Sequence, residues 1–265
     1  MRFMEPVFST RLGRWYQTDC GKLLRSLDDG SVHTIFADPP FNLGKTYGRS
    51  GSDERADAEY RAWCETWLID AVRVLAPGGA MFLYHLPRWL VPLGAFLSSR
   101  PEMTFRHWIA IYRPQSLPIP GRLSPSHYGM LYFTKGRRPR VFNRDDVRIP
   151  IAKCRHCGGE LKDYGGHKKY LNPKGLNLTD VWTDVPPVRH KKYKYRKTNE
   201  LPAKISERVI LLSTRPGDLV VDLFGGAGST AVAAETLKRR WIVGDVNSYS
   251  GPRRRLAALS RVRGN

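Results

Sequence analysis

The chain has 265 residues, 41% of them hydrophobic, and a formal net charge of +20. That length allows one large domain with room for an inserted module, and that composition excludes wholesale disorder. No apolar run approaches a membrane span and Met1 to Pro6 lacks the apolar core of a signal peptide, so a cytosolic protein is expected. The charge points to a polyanionic partner, nucleic acid before others.

Arg14 to Asp19 reads as a short strand closing on an acid. Val32-His33-Thr34-Ile35-Phe36-Ala37 is an apolar run of buried-strand length, and Asp38-Pro39-Pro40-Phe41 follows at its C-terminal end. In open α/β sheets ligands bind at that edge. The prolines stiffen the turn and donate no ladder bond. A carboxylate and a rigid carbonyl can accept the two hydrogens of a planar NH2 group while an aromatic ring stacks on its plane. The stretch is therefore read as a pocket for the exocyclic amine of a nucleobase. The bland alternative for Asp38 is a turn or helix cap.

Gly44 to Asp57 is a polar loop long enough to act as a lid. A helix is expected from about Ala58 to Ala76, with Trp63, Trp67, Ala71 and Val74 on its apolar face and Pro77-Gly78-Gly79 as its stop. Both tryptophans are read as core. Ala80 to Tyr84 is the next strand. Arg106 to Tyr112 and His127 to Phe133 are two more, joined by a Pro-rich connection that suits an elaborated hairpin rather than a crossover.

Residues 136–200 are loop-rich, without a clear hydrophobic period, and carry seventeen Lys and Arg against seven Asp and Glu, half of the net charge. Within them Lys191-Lys192-Tyr193-Lys194-Tyr195-Arg196 alternates cations with aromatics, which suits phosphate contact plus base stacking. Cys154-Arg155-His156-Cys157 has the spacing of half a zinc site. His167 and His190 could complete it, although at unusual spacing. The other reading is a turn with two free thiols. Cys20 and Cys64 complete the cysteines, and no disulfide scaffold is expected.

Pattern returns with a helix from Ala203 to Leu212 and a strand from Leu219 to Phe224. The turn Gly225-Gly226-Ala227-Gly228-Ser229 then opens a helix from Ala231 to Leu237. A glycine-rich strand-to-helix turn lets backbone approach a ligand and aims helix N–H groups at it. Asp245 closes the following strand, Trp241 to Asp245, where a carboxylate meets ribose hydroxyls. The residues after Arg253 read as a basic tail.

One loop for a nucleoside-bearing ligand and one for a planar amine together resemble the S-adenosylmethionine-dependent amino-methyltransferases of nucleobases. Asp38-Pro39-Pro40-Phe41 resembles that family's catalytic motif and Phe224-Gly225-Gly226-Ala227-Gly228 its cofactor motif, in the order of the beta class. Shorter likenesses lie in Arg73 to Gly79, Leu131 to Gly136, Asp180-Val181-Trp182 and Asn199 to Lys204. The resemblance implies a Rossmann-like α/β fold, a seven-stranded sheet with helices on both faces. Six strands would be parallel and one antiparallel, the latter supplied by the hairpin. It divides the chain into a catalytic half (1–135), a basic target-recognition segment (136–200) and a cofactor-binding half (201–265).

It further implies that Asp19, Phe224, Gly226, Gly228, Ser229 and Asp245 line the site of S-adenosylmethionine, with Asp38 near its methionine end. Asp38 and the Pro39 carbonyl would hold the target amine, Phe41 would stack on a flipped base, and Pro40 would complete the rigid turn. No Pro-Cys pair, which carbon-5 methylation uses, is present. An Asp in the first motif position tilts the base toward adenine N6 over cytosine N4. DNA is the expected polymer, RNA the alternative, and a homodimer and a cognate restriction nuclease are possible partners. A binding protein without catalysis and an NAD-dependent enzyme are the competing classes. The intact motifs argue against the first, and the amine pocket against the second.

Overall fold

A computed structural model describes residues 4–45, 52–113, 120–121, 123–151, 153, 156–160, 162–163, 165–166, 168–186, 200–247 and 250–262. Its centre is one sheet. The strands are β1 (Phe8–Ser9), β2 (Gly13–Gln17), β3 (Val32–Ala37), β4 (Leu75–His85), β5 (Met103–Tyr112), β6 (His127–Lys135), β7 (Val181–Trp182), β8 (Leu219–Asp222) and β9 (Arg240–Asp245). They lie in the order β1-β2-β9-β8-β3-β4-β6-β5-β7. Strands β2, β9, β8, β3 and β4 are parallel, and β6 runs antiparallel between β4 and β5. Those seven strands reproduce the expected six parallel and one antiparallel. Two-residue strands at either edge bring the sheet to nine.

Among the described residues six α-helices cover it: α1 (Cys20–Arg25), α2 (Asp57–Val74), α3 (Pro87–Ser98), α4 (Ala203–Ser213), α5 (Ser229–Thr236) and α6 (Ser250–Val262). Successive side chains of a strand point to opposite faces, so each central strand feeds two cores. Ile35, Met81, Leu83, Leu131 and Val221 pack with α1, α2 and α3. Phe36, Phe82, Tyr132 and Val220, from the same strands, pack on the other face with α4, α5 and α6. Burial on both faces explains why β3 and β8 read as continuous apolar runs.

Four local expectations change. Helix α2 ends at Val74, and Pro77-Gly78-Gly79 lies within β4 rather than stopping a helix. The pairing passes from Val32↔Leu75 to Thr34↔Ala80, so these residues form a bulge. Gly78 has φ +72°, and a Cβ there would come within 2.7 Å of the Arg140 nitrogen, whose N–H donates to the Gly78 carbonyl. Two helices, α1 and α3, lie where none was expected. Leu90, Leu93 and Leu97 give α3 a buried face, but Pro92 and Gly94 interrupt its sequence signal. The basic C-terminal run is not a tail through Val262 but helix α6, anchored by the buried Leu256.

The ends of the basic segment belong to the main core. Val147, Trp182 and Val185 are buried against α4 and the sheet. Asp184 accepts a two-pronged bond from Arg208 at 2.7 and 2.5 Å and another from Lys204 at 2.7 Å, and the Arg208 guanidinium lies over the Trp182 ring. Among the described residues no helix is long and apolar enough to cross a membrane.

Candidate active site

The C-terminal ends of the parallel strands form one edge, and the residues expected at the amine pocket and the glycine-rich loop gather there. In spatial order this edge carries Asp19 after β2, Asp245 on β9, the glycine-rich loop after β8, and Asp38 after β3. Next come His85 on β4, Tyr128 at the start of antiparallel β6 and Arg113 just past β5. The span from β2 to β3 is three inter-strand steps, about 14 Å at the usual strand spacing. The motifs 38–41 and 224–228 are separated by nearly two hundred positions in sequence but follow neighbouring strands, with Phe36 paired to Asp222.

The glycine-rich loop is held by its own backbone. Phe224 N–H donates to the Asp222 carboxylate at 2.9 Å, Gly225 N–H to the Gly244 carbonyl at 2.9 Å, and Gly226 N–H to the Asp245 carboxylate at 2.7 Å. The other Asp245 oxygen accepts from Asn247 N–H at 2.8 Å, leaving a half-buried carboxylate in fixed orientation. Gly226, Gly228 and Ser229 are buried. Gly228, at φ +79°, caps α5 in the left-handed conformation. The Ser229 hydroxyl donates to the Leu201 carbonyl at 3.1 Å, and Arg255 of α6 donates to the Ala227 carbonyl at 2.8 Å. The half-buried Phe224 ring packs against Trp63 and Trp67, so those tryptophans shape the loop's flank from within the core. Asp19 is exposed and caps α1, accepting from Gly21 and Lys22 N–H at 2.8 and 3.3 Å.

The proline turn is held from a distance. Asp38 is half-buried, Pro39 buried, and Pro40 and Phe41 half-buried. The Tyr60 hydroxyl donates to the Pro40 carbonyl at 2.5 Å and meets His85 Nε2 at 2.7 Å. The Phe41 ring stacks on His85 with centroids 4.8 Å apart and lies 6.0 and 5.7 Å from Tyr84 and Tyr128. Burial raises the pKa of Tyr84 well above its ordinary value, with the Asp38 charge as the next cause. Burial also raises Tyr128, which Arg113 opposes and Asp38 reinforces. Arg113 donates to the Tyr128 hydroxyl and lies over its ring. A carboxylate thus sits in a wall of aromatic rings with a cation at the rim. Past the turn, Asn42 clasps the Arg55 backbone at both its N–H and its carbonyl, closing the base of the following loop.

Asp222, Tyr60, Tyr84, His85 and Tyr128 join the site without being singled out by the sequence pattern. Asp222 had a signal, since it closes a strand beside the glycines as Asp245 does. Tyr60 and His85 had none, because they lie 20 and 45 positions beyond Pro40. Cys157 is exposed and free, whereas Cys154, His167 and His190 lie outside the described residues. So do Lys191, Lys192, Tyr193, Lys194, Tyr195 and Arg196. Among the described residues no group of three metal-ligating side chains occurs.

Comparison with known proteins gives a consistent picture. The N6/N4 methyltransferase family described as "DNA methylase" matches residues 32–250. The type II methyltransferase M.BamHI of Bacillus amyloliquefaciens is 46% identical over 239 residues, 90% of this chain and 56% of that protein. The chain therefore spans about half the length of that relative. Among solved structures, the PvuII DNA methyltransferase (cytosine-N4-specific) superposes with a TM-score of 0.70 at 19% identity, covering 92% of this chain and 85% of that one. The M1.HpyAVI–SAM complex gives 0.62 at 18% identity, covering 92% and 99%.

Proposed function

The chain belongs to the DNA methylase family of N6 and N4 amino-methyltransferases, and from that premise we propose that it moves a methyl group from S-adenosylmethionine to the exocyclic amine of a DNA base. The observation that carries the reading is the side-by-side placement of the Asp38 turn and the glycine-rich loop on one sheet edge.

The donor set fits the cofactor. Asp245 and Asp19 offer carboxylates at the outer end of the edge, where ribose hydroxyls and an adenine would lie. Gly226, Gly228 and Ser229 provide the close backbone, and Phe224 an apolar flank. Asp38 lies at the inner end, near the methionine portion, where the methyl donor and the target amine would meet. When bound, S-adenosylmethionine supplies an electrophilic sulfonium methyl. Asp38 and the Pro39 carbonyl accept the two hydrogens of the target NH2, which draws the nitrogen lone pair out of conjugation and stabilises the charge that develops there. Phe41 stacks on the base after it leaves the duplex. The remaining contribution is alignment. The proton is lost to Asp38 or to water.

The leading Asp38 favours adenine N6. Cytosine N4 is the second reading, supported by the named specificity of the PvuII enzyme whose fold this chain shares. Residues 136–200 form the target-recognition segment in this proposal, with Lys191 to Arg196 on the nucleic acid. A homodimer, a cognate restriction nuclease, a cytoplasmic location and a zinc ion on Cys154 and Cys157 belong to the same proposal. Incubating the protein with S-adenosylmethionine and either genomic DNA or RNA, then identifying modified nucleosides by mass spectrometry, tests it. N6-methyldeoxyadenosine is the expected product. N4-methyldeoxycytidine selects the second reading, a product in RNA alone moves the substrate, and no product overturns the assignment.

A further inference from the structure

The Asp38-Pro39-Pro40-Phe41 turn poses a constructional problem. Its two prolines have no N–H, so the turn is fixed through its carbonyls and side chains. The structure supplies a donor for one carbonyl from far along the chain. His85 Nδ1 accepts from Leu86 N–H at 2.7 Å, which places the ring proton of the neutral imidazole on Nε2. Nε2–H then donates to the Tyr60 oxygen, and the Tyr60 hydroxyl proton is committed to the Pro40 carbonyl. The three bonds run in one direction, from backbone to backbone through two side chains. The imidazole that starts this chain also stacks on Phe41. Both Tyr60 and His85 are almost fully buried, at 1% and 0% exposure, so water does not compete for these bonds.

We infer that Tyr60 and His85 are positioning residues for methyl transfer, locking the Pro40 peptide and the Phe41 ring so that Asp38 and the Pro39 carbonyl meet the target amine correctly. This rests on the proposed function. A pair that only filled core space would support stability without acting on the turn. A pair that positions the turn acts on kcat and on local backbone order, since displacements of about 1 Å cost rate steeply.

The test uses Tyr60→Phe, His85→Leu and His85→Gln in the full chain. Tyr60→Phe removes only the hydroxyl. It should lower kcat by about tenfold to a hundredfold while the Kd for S-adenosylmethionine stays near wild type. Hydrogen exchange at the amides of Phe41 and Asn42 should quicken under conditions where the rest of the fold keeps its protection. His85→Leu should behave alike, and His85→Gln, which keeps an amide donor near the Nε2 position, should recover most of the loss. Wild-type kcat and wild-type exchange in Tyr60→Phe overturn the inference, and equal behaviour of His85→Leu and His85→Gln does so even if Tyr60→Phe fails to fold. Should the wild-type protein methylate nothing, the functional assignment falls, and amide exchange alone still decides whether the pair orders the turn.

Discussion

The two halves of the site sit on neighbouring strands and are built on opposite plans. The loop after β8 is held by backbone donors, Phe224, Gly225 and Gly226, reaching carboxylates and a carbonyl on β8 and β9 themselves. The turn after β3 has prolines where such donors would be, and it is held by Tyr60 on α2 and His85 on β4. One half therefore draws its main backbone hydrogen bonds from its own two strands, with Leu201, Arg255 and the α2 tryptophans packed around it. The other borrows its scaffold from distant elements, and its precision depends on how α2, β4 and β6 pack. The difference teaches that the cofactor half should be damaged mainly by changes in its own loop, and the catalytic half equally by changes far from its motif.

The largest test of that division is Asp38→Ala. Removing the acceptor at the reacting nitrogen should cost on the order of a thousandfold in methyl transfer, with equilibrium binding of S-adenosylmethionine within a few-fold of wild type. Full activity would sink the catalytic assignment, and a comparable loss of cofactor affinity would break the separation of the halves. Asp245→Ala is its mirror. It removes two charge-assisted bonds from backbone N–H groups, each worth about 1.5–3 kcal/mol, so the Kd should rise by about tenfold to a hundredfold. Methyl transfer at saturating cofactor should remain. A collapse of kcat with an unchanged Kd would assign Asp245 to the wrong half.

The same contrast explains what the sequence disclosed. Strands β3 and β8 are apolar runs closed by chemistry-bearing turns, so both motifs and their sheet edge were legible from short windows. The glycine-rich loop's partners, Asp222 and Asp245, stand within the same local pattern. The proline turn's partners are legible only through the pairing of β4 with β6 and the packing of α2, which no window of sequence contains. Helix α3 was hidden because Pro92 and Gly94 carry turn signals that its Leu90, Leu93 and Leu97 face overrides by burial. Pro77-Gly78-Gly79 misled in the opposite way. Its turn chemistry is real, but it serves a bulge inside β4, where Gly78 makes room for the chain at Arg140. Helix α6 presents so many arginines that its anchoring leucine at 256 was lost among them.

A smaller effect separates the halves by stability. A Cβ at Gly225 would fall 2.3 Å from Val243 and 2.6 Å from the Trp15 ring, both in the core beneath the loop. Gly225→Ala should therefore destabilise by about 1–3 kcal/mol, as overpacking does, and lower Tm at every pH alike. An unchanged Tm would mean that the loop floats above the sheet rather than being seated on it.

The smallest effect is a change of slope rather than of level. Burial, and then the charge of Arg88, lowers the pKa of His85 to about 3 from an ordinary 6.5. Between those values the unfolded chain takes up a proton that the folded one refuses. Stability contributed by neutral His85 is thus present above about pH 6.5 and is lost as pH falls toward 3, by at most about 1.4 kcal/mol per pH unit. His85→Gln removes that titration, so Tm should fall less steeply than wild type from pH 6.5 to pH 4.5, while Gly225→Ala keeps the wild-type slope. Parallel curves for wild type and His85→Gln would mean that His85 is protonated in the folded state. An Nδ1–H would then face the Leu86 N–H that now donates to it, and the one-way chain from Leu86 to Pro40 could not exist as drawn.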